Sequence, residues 1–374
     1  MTQSLIQNMK PFIQEAWKKS AFQQPTTVQA EAIQPALEGK DIIAESPTGT
    51  GKTLAYLLPV LEKIDPDKQA VQAVILASSQ ELVMQILGEI QKWGEGSGIK
   101  AASFIGGANV KRQLEKLKKH PHIALGTPGR VLELIKQKKL KMHEVKTVVL
   151  DEGDQLLVPE HAQTVQNIVK STLKDRQVLL FSATLPPVIE QLAKELTGDA
   201  EVIRVEKDDT IQAAAVDHIY FVAEARDKIK MLEKIFRLEG IKALVFVKDI
   251  GNLKVMAEKL DFKNIASGTL HSDLSKFDRQ KAIKNFRTGK TNMLIATDVA
   301  ARGLDIKGVT HVVHFDLPKD INQYVHRSGR TGRFGASGTV ISLVTEREER
   351  ELKKIAKELG LTAEKKTMRG GQIV

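Results

Sequence analysis

Short apolar runs rich in Val and Ile alternate with segments of helical period along this chain, and that alternation leaves few folds open. A strand buried on both faces reads as a continuous apolar run, and strands separated by helix-length connections pair in parallel. The runs are residues 41–45, 73–77, 101–105, 123–126, 147–150, 178–181 and 201–205, then 218–222, 243–247, 268–271, 293–296, 311–315 and 339–344. Between the two sets the chain turns polar and then featureless. The pattern predicts an α/β protein in two domains, residues 1–206 and 216–374, joined by a linker at 207–215. A length of 374 residues is long for one core and suits two.

Helical segments are legible as well. Residues 227–238 place Ile229, Leu232, Ile235 and Phe236 on one stripe, a core face. Thr345 followed by Glu348 reads as a capping box, with Gly360 as the stop and residues 361–374, with Lys365, Lys366 and Arg369, as a short basic tail. Residues 321–325 read as a short helix ahead of an arginine-rich stretch.

Composition excludes several classes. No cysteine occurs, so disulfides and thiolate metal sites are out and a reducing compartment fits. Neither a signal-peptide pattern nor an apolar run long enough to span a membrane is visible, and the expectation is a cytoplasmic protein. Net charge is +10, divided unevenly: 26 Lys and Arg against 24 Asp and Glu through Lys207, and 30 against 22 beyond it. That excess is compatible with a polyanionic partner for the second half, and equally with a solvated basic surface. The basic run at residues 136–141 reads as a solvated face.

The stretch Ser46-Pro-Thr-Gly-Thr-Gly-Lys-Thr53 follows an apolar run and opens a helical segment, the context a phosphate-cradling loop requires. Gly49 and Gly51 let the backbone curl so that N–H groups converge on one anion, aided by the following helix N-terminus. Lys52 reaches the outer phosphates and the Thr53 hydroxyl ligates magnesium. Ser46 stands where the simplest pattern has Gly.

Downstream, Val148-Val-Leu150 runs into Asp151-Glu-Gly-Asp154, carboxylates at the end of a buried strand. Asp151 is the candidate for holding Mg2+, and Glu152 for orienting or deprotonating the attacking water. In the second half, His326-Arg-Ser-Gly-Arg-Thr-Gly-Arg333 alternates arginines with small residues, which suits phosphate. Arg330 and Arg333 are the expected arginine fingers, so that hydrolysis requires both domains.

Taken in order, these segments make the chain resemble the DEAD-box ATP-dependent RNA helicases of superfamily two, in the compact bacterial form, over about residues 20–345. The resemblance implies two tandem RecA-like domains, each a mostly parallel sheet covered by helices. It implies ATP as fuel, with Gln29 reading the adenine edge, Phe22 stacking on its face, and Thr48 and Thr50 joining the loop contacts. Ser79, Gln80, Gly107, Thr127, Gly129 and Arg130 are the implied RNA contacts of the first domain, Arg279 and Thr297 those of the second. Gly303 and Asp305 are implied to face the nucleotide, and Asp154, Ser182, Thr184 and His326 to couple it to domain closure. The implied activity is RNA-stimulated ATP hydrolysis by a monomer that unwinds short duplexes without regard to sequence. The alternative is an ATP-dependent RNA clamp or assembly factor with little strand separation. Ribonucleoprotein or ribosome-assembly partners are compatible with either.

Some positions depart from the family pattern. Gly153 stands where the name-giving Ala falls, and Ser78-Ser-Gln-Glu-Leu82 occupies the place of Pro-Thr-Arg-Glu-Leu, so Gln80 lacks the positive charge aimed at RNA phosphate. Lys276 replaces a Gln, three residues ahead of Arg279.

Overall fold

The computed structural model describes residues 2–20, 22–107, 109–205, 216–301, 306, 308–332 and 337–374. The linker expected at 207–215 lies outside them, as do Gly303, Asp305, Arg333 and the side chain of Lys276. The chain divides into two compact units, Met1–Lys207 and Asp208–Val374.

The first unit is built on β1 (Ile42–Glu45), β2 (Ala73–Ala77), β3 (Ala101–Phe104), β4 (Ile123–Gly126), β5 (Thr147–Asp151), β6 (Gln177–Ser182) and β7 (Glu201–Arg204). They form a seven-stranded sheet in the order β3-β4-β2-β5-β6-β1-β7. Every pairing is parallel. Why the strands read as unbroken apolar runs is visible in β2. Ala73, Ile75 and Ala77 enter one buried cluster, while Val74 and Leu76 enter the cluster on the opposite face. Helices cover both faces, so alternate side chains leave water on either side, each large one contributing about 1.5–3 kcal/mol.

The second unit repeats the plan with β8 (Val216–Val222), β9 (Ala243–Val247), β10 (Ser267–Leu270), β11 (Met293–Thr297), β12 (His311–His314), β13 (Gly338–Val344) and β14 (Ala363–Lys365). The order is β10-β11-β9-β12-β13-β8-β14, again parallel throughout. The capping box forms as expected: Glu348 N–H donates to Thr345 Oγ1 at 3.3 Å and Thr345 N–H to Glu348 Oε2 at 2.8 Å. It starts the helix Glu346–Glu358.

The last residues differ from expectation. Residues 361–374 read as a short basic tail, yet Ala363–Lys365 adds parallel to β8 as the sheet's edge strand. The chain then folds into an antiparallel hairpin of β15 (Met368–Arg369) and β16 (Gln372–Ile373). Gly370 and Gly371 turn it, with φ of 56° and 80°, a backbone that glycine pairs supply in two-residue hairpins. Met368 and Ile373 pack against the unit's core. Strands of two or three residues are too short to leave a periodic signal. Among the described residues no helix is long and apolar enough to cross a membrane.

Candidate nucleotide and RNA sites

The parallel order of the first sheet brings all its C-terminal strand ends to one edge, where ligands of open α/β sheets are met. Along that edge the expected residues fall into two groups. The phosphate loop follows β1, the Asp151–Asp154 turn follows β5, and Ser182 and Thr184 close β6. Gly106 and Gly107 follow β3, Thr127, Gly129 and Arg130 follow β4, and Ser79 and Gln80 follow β2. With β2 beside β5, the nucleotide group and the RNA group meet at that pair.

The loop between β1 and the helix Lys52–Lys63 holds Gly49 at φ 84° and Gly51 at φ 93°. A Cβ on Gly51 would lie 2.4 Å from Gln29 Nε2, so both the backbone angle and the packing demand glycine there. Gln29 is buried. Its Nε2 donates to Gly51 O at 3.1 Å and its Oε1 accepts from Thr26 N at 3.1 Å. An amide side chain has two N–H donors and two lone pairs, so capacity for an adenine edge is left over. Ser46, the departure from the simplest pattern, is fully buried and its hydroxyl lies 2.7 Å from that of Thr50, which in turn is 2.8 Å from Pro47 O. Lys52 Nζ lies back along the loop, donating to the carbonyls of Ser46 and Pro47.

Phe22 is 43% exposed and packs with two tryptophans. Its ring stacks on Trp93 at 6.3 Å and tilts against Trp17 at 5.6 Å. This trio was not foreseen, because nothing in spacing alone joins residues 17, 22 and 93. It supports one face of Phe22.

At the end of β5, Asp151 is buried and its carboxyl is pushed up to about 6, first by desolvation and then by the neighbouring Glu152 charge. Two donors oppose the shift: Tyr56 Oη at 2.8 Å and the Glu152 N–H at 2.9 Å. Tyr56, fully buried on the helix that follows the loop, is a site residue that the sequence did not single out. Glu152 has φ 56° and ψ 55°, a left-handed backbone that a non-glycine residue keeps only where its surroundings fix it. Its carboxylate Oε2 accepts from Ser78 Oγ. Asp154 forms a compact network with two of the other expected coupling residues, Ser182 and Thr184. Asp154 N donates to Ser182 Oγ at 3.0 Å, Ser182 Oγ lies 2.8 Å from Asp154 Oδ1, and Thr184 Oγ1 donates to Asp154 Oδ2 at 3.2 Å.

Gly153 also gains a reason. A Cβ there would come within 2.7 Å of Leu180 Cδ2 and 2.9 Å of Cγ, in the core under β6. Gly153→Ala therefore overpacks the unit. After the helix-propensity gain is set against the strain, a net loss of about 1 kcal/mol is expected. Thermal denaturation should show the melting point lower by about 2–4 °C; an unchanged or higher value would contradict this packing.

The RNA candidates differ in what they expose. Gln80 Nε2 donates to Gly106 O at 3.0 Å, tying the segment after β2 to that after β3. Ser79 caps the helix Gln80–Trp93 by accepting from Leu82 N at 3.1 Å. Space stands open around Gly106 and Gly129, where a strand's backbone can approach. Arg130, an expected RNA contact, has a side chain that is 10% exposed, with Nε 2.9 Å from Glu133 Oε2.

In the second unit, Thr297 ends β11 and is buried, and Arg279 donates to Ala300 O at 2.6 Å. The helix expected over 321–325 runs on to Ser328, so His326 is helical. Arg330 is 8% exposed, with Nε donating to His326 O at 3.1 Å. A contact the sequence did not announce joins this segment to the residue that follows β11. Arg327 grips Asp298 through Nε at 2.6 Å and Nη2 at 2.7 Å, while Nη1 donates to Asp316 O at 2.6 Å.

Two parallel-sheet units, the first with a phosphate loop beside an acidic strand end, define a tandem RecA-like nucleoside triphosphatase. The sequence profile of DEAD/DEAH box helicases matches residues 26–192, and that of the helicase conserved C-terminal domain matches residues 227–335. A probable ATP-dependent RNA helicase of Bacillus subtilis, YfmL, is 57% identical over 375 residues, spanning 100% of this chain and 99% of the relative. The DEAD-box ATP-dependent RNA helicase CshC of Bacillus cereus is 49% identical over 370 residues, covering 99% and 95%. The chain belongs to the DEAD/DEAH box helicase family. Among solved structures, S. cerevisiae Dbp5 bound to RNA and ADP BeF3 superposes with a TM-score of 0.88 at 30% identity, covering 97% of this chain and 94% of that one. Mss116p bound to ssRNA and AMP-PNP gives 0.87 at 26% identity, covering 99% and 80%.

Proposed function

We propose that this chain is an ATP-dependent RNA helicase that locally unwinds short RNA duplexes, with ATP and RNA together driving closure of its two domains. The observation that carries the reading is the edge of the first sheet, where the phosphate loop and acidic turn stand beside the segments expected to meet RNA. The similarity to relatives named as ATP-dependent RNA helicases supports the same polymer and fuel. In this reading residues 1–206 are the ATP-binding domain, 216–374 the C-terminal domain and 207–215 the linker between them. It works as a monomer in the cytoplasm, with ribonucleoprotein assemblies as its setting.

Lys52 exchanges the carbonyls of Ser46 and Pro47 for the outer phosphates, a charge-assisted contact stronger than the neutral acceptors it leaves. Gln29 and Phe22 hold the adenine. The Thr53 hydroxyl and the Asp151 carboxylate are hard oxygen donors of the kind Mg2+ takes, and the desolvated Asp151, pushed up to about 6, gains from a cation beside it. An ion held there would supply positive charge to the phosphates. Glu152 orients a water against the γ-phosphorus and takes its proton as the bond to the β-phosphate oxygen breaks. Arg330, Arg333, Gly303 and Asp305 complete the pocket from the second domain. The network of Asp154, Ser182 and Thr184, with His326, couples the state of the phosphates to closure.

Segments after β2, β3 and β4, with Arg279 and Thr297, grip phosphate and sugar, so binding follows backbone geometry and ignores sequence. Release of a labelled strand from a short RNA duplex tests the activity. Release with ATP is expected, whereas retention of RNA without strand release would favour a clamp. DNA-stimulated hydrolysis in place of RNA stimulation would contradict the assignment of polymer. Restoring the missing charge is a further test. Gln80→Arg is expected to tighten RNA binding generally and to steepen the salt dependence by about 0.7 in log–log slope. A salt titration of RNA affinity reads this directly, and an unchanged slope would remove Gln80 from the contact set.

A further inference from the structure

We propose that Ser78 is a positioning residue for hydrolysis: its hydroxyl holds the Glu152 carboxylate and ties it to the segment that meets RNA. The inference rests on the role given above to Glu152 and adds a residue and a route to it.

Three observations converge. The register of the first sheet sets Ala77 opposite Asp151, so the next residues along these neighbouring parallel strands, Ser78 and Glu152, leave the sheet side by side. The adjacency is fixed by backbone pairing and does not depend on a side-chain rotamer. At that point Ser78 Oγ donates to Glu152 Oε2. Ser78 is also one of the departures from the family pattern, which has proline here; proline has no hydroxyl and could not make this link.

The same turn leads outward. Ser79 caps the following helix through Leu82 N, and Gln80 is bonded to Gly106 O, next to Gly107. One residue, Ser79, therefore separates the group holding Glu152 from the one latched to the β3 loop. A strand that engages Gln80 and the loop at Gly106 and Gly107 shifts or stiffens this turn, and Ser78 passes the change to the carboxylate. A positioned group matters to hydrolysis because small misplacements of the reacting geometry cost large factors in rate.

The test compares Ser78→Ala and Ser78→Thr in the full chain, with single-stranded polyuridylate as the RNA probe. For Ser78→Ala, kcat at saturating RNA is expected to fall about tenfold. KM for ATP, half-saturating RNA and melting temperature should stay near those of the parent. Ser78→Thr keeps a hydroxyl and is expected to recover most of the rate, which a merely structural role for residue 78 would not require. Parent-like kcat in Ser78→Ala, or a Thr variant as slow as the Ala variant, would overturn the proposal. Glu152→Gln, assayed alongside, separates the two readings. If Glu152→Gln is inactive while Ser78→Ala is normal, only the role of Ser78 fails; if Glu152→Gln hydrolyses ATP normally, the role of Glu152 itself fails.

Discussion

Glu152→Gln is expected to abolish ATP turnover while leaving ATP binding intact. The amide keeps the size of the carboxylate and can still accept from Ser78, but it cannot take a proton from water. Loss of a general base costs about 10²–10⁴ in rate. Binding rests on other groups, the glycine loop, Lys52 and Gln29. Equilibrium binding of a fluorescent ATP analogue together with steady-state hydrolysis checks both halves. Wild-type turnover in the variant would contradict the assignment, and so would loss of binding.

A loss of similar size is expected at Arg330. Its guanidinium is buried within its own unit, with Nε on the His326 carbonyl, a neutral acceptor that a γ-phosphate outcompetes. An arginine supplied to a phosphoryl-transfer site is worth about 10³–10⁵ in kcat. Arg330→Lys keeps the charge and loses the planar fork, so RNA-stimulated kcat is expected to drop by about 10³ with ATP binding unchanged. Thermal denaturation of the same variant distinguishes this from unfolding, since removing a buried Arg also removes its packing. A folded Arg330→Lys protein with parent-like hydrolysis would show that the second domain does not complete the site through this residue.

Much of the fold is legible before any coordinates. The central strands are buried on both faces, so they appear in the sequence as apolar runs, and each run read from the sequence became a strand with ends moved by two residues or fewer. The exceptions were the last three strands, whose two or three residues carry no period; β14 is placed by its pairing with β8, and the hairpin by Met368, Ile373 and the Gly370-Gly371 turn. Within the candidate site, legibility followed chain proximity. The phosphate loop is local, so Gly49, Gly51, Lys52 and Thr53 announce themselves by spacing. Tyr56 against Asp151, Ser78 against Glu152, and Arg327 against Asp298 depend on which strands lie side by side, and no spacing encodes that. The pairing of Arg130 with Glu133, one helical turn on, was likewise not read from the motif. Gly153 turned from an oddity into a packing requirement once Leu180 was seen beneath it.

The most direct test of the account is the ATPase rate at low salt, measured with and without single-stranded RNA. If RNA and ATP must act together to complete the pocket, hydrolysis is slow alone and rises several-fold with RNA, to a plateau as RNA saturates. A rate indifferent to RNA under conditions where RNA binds would contradict it.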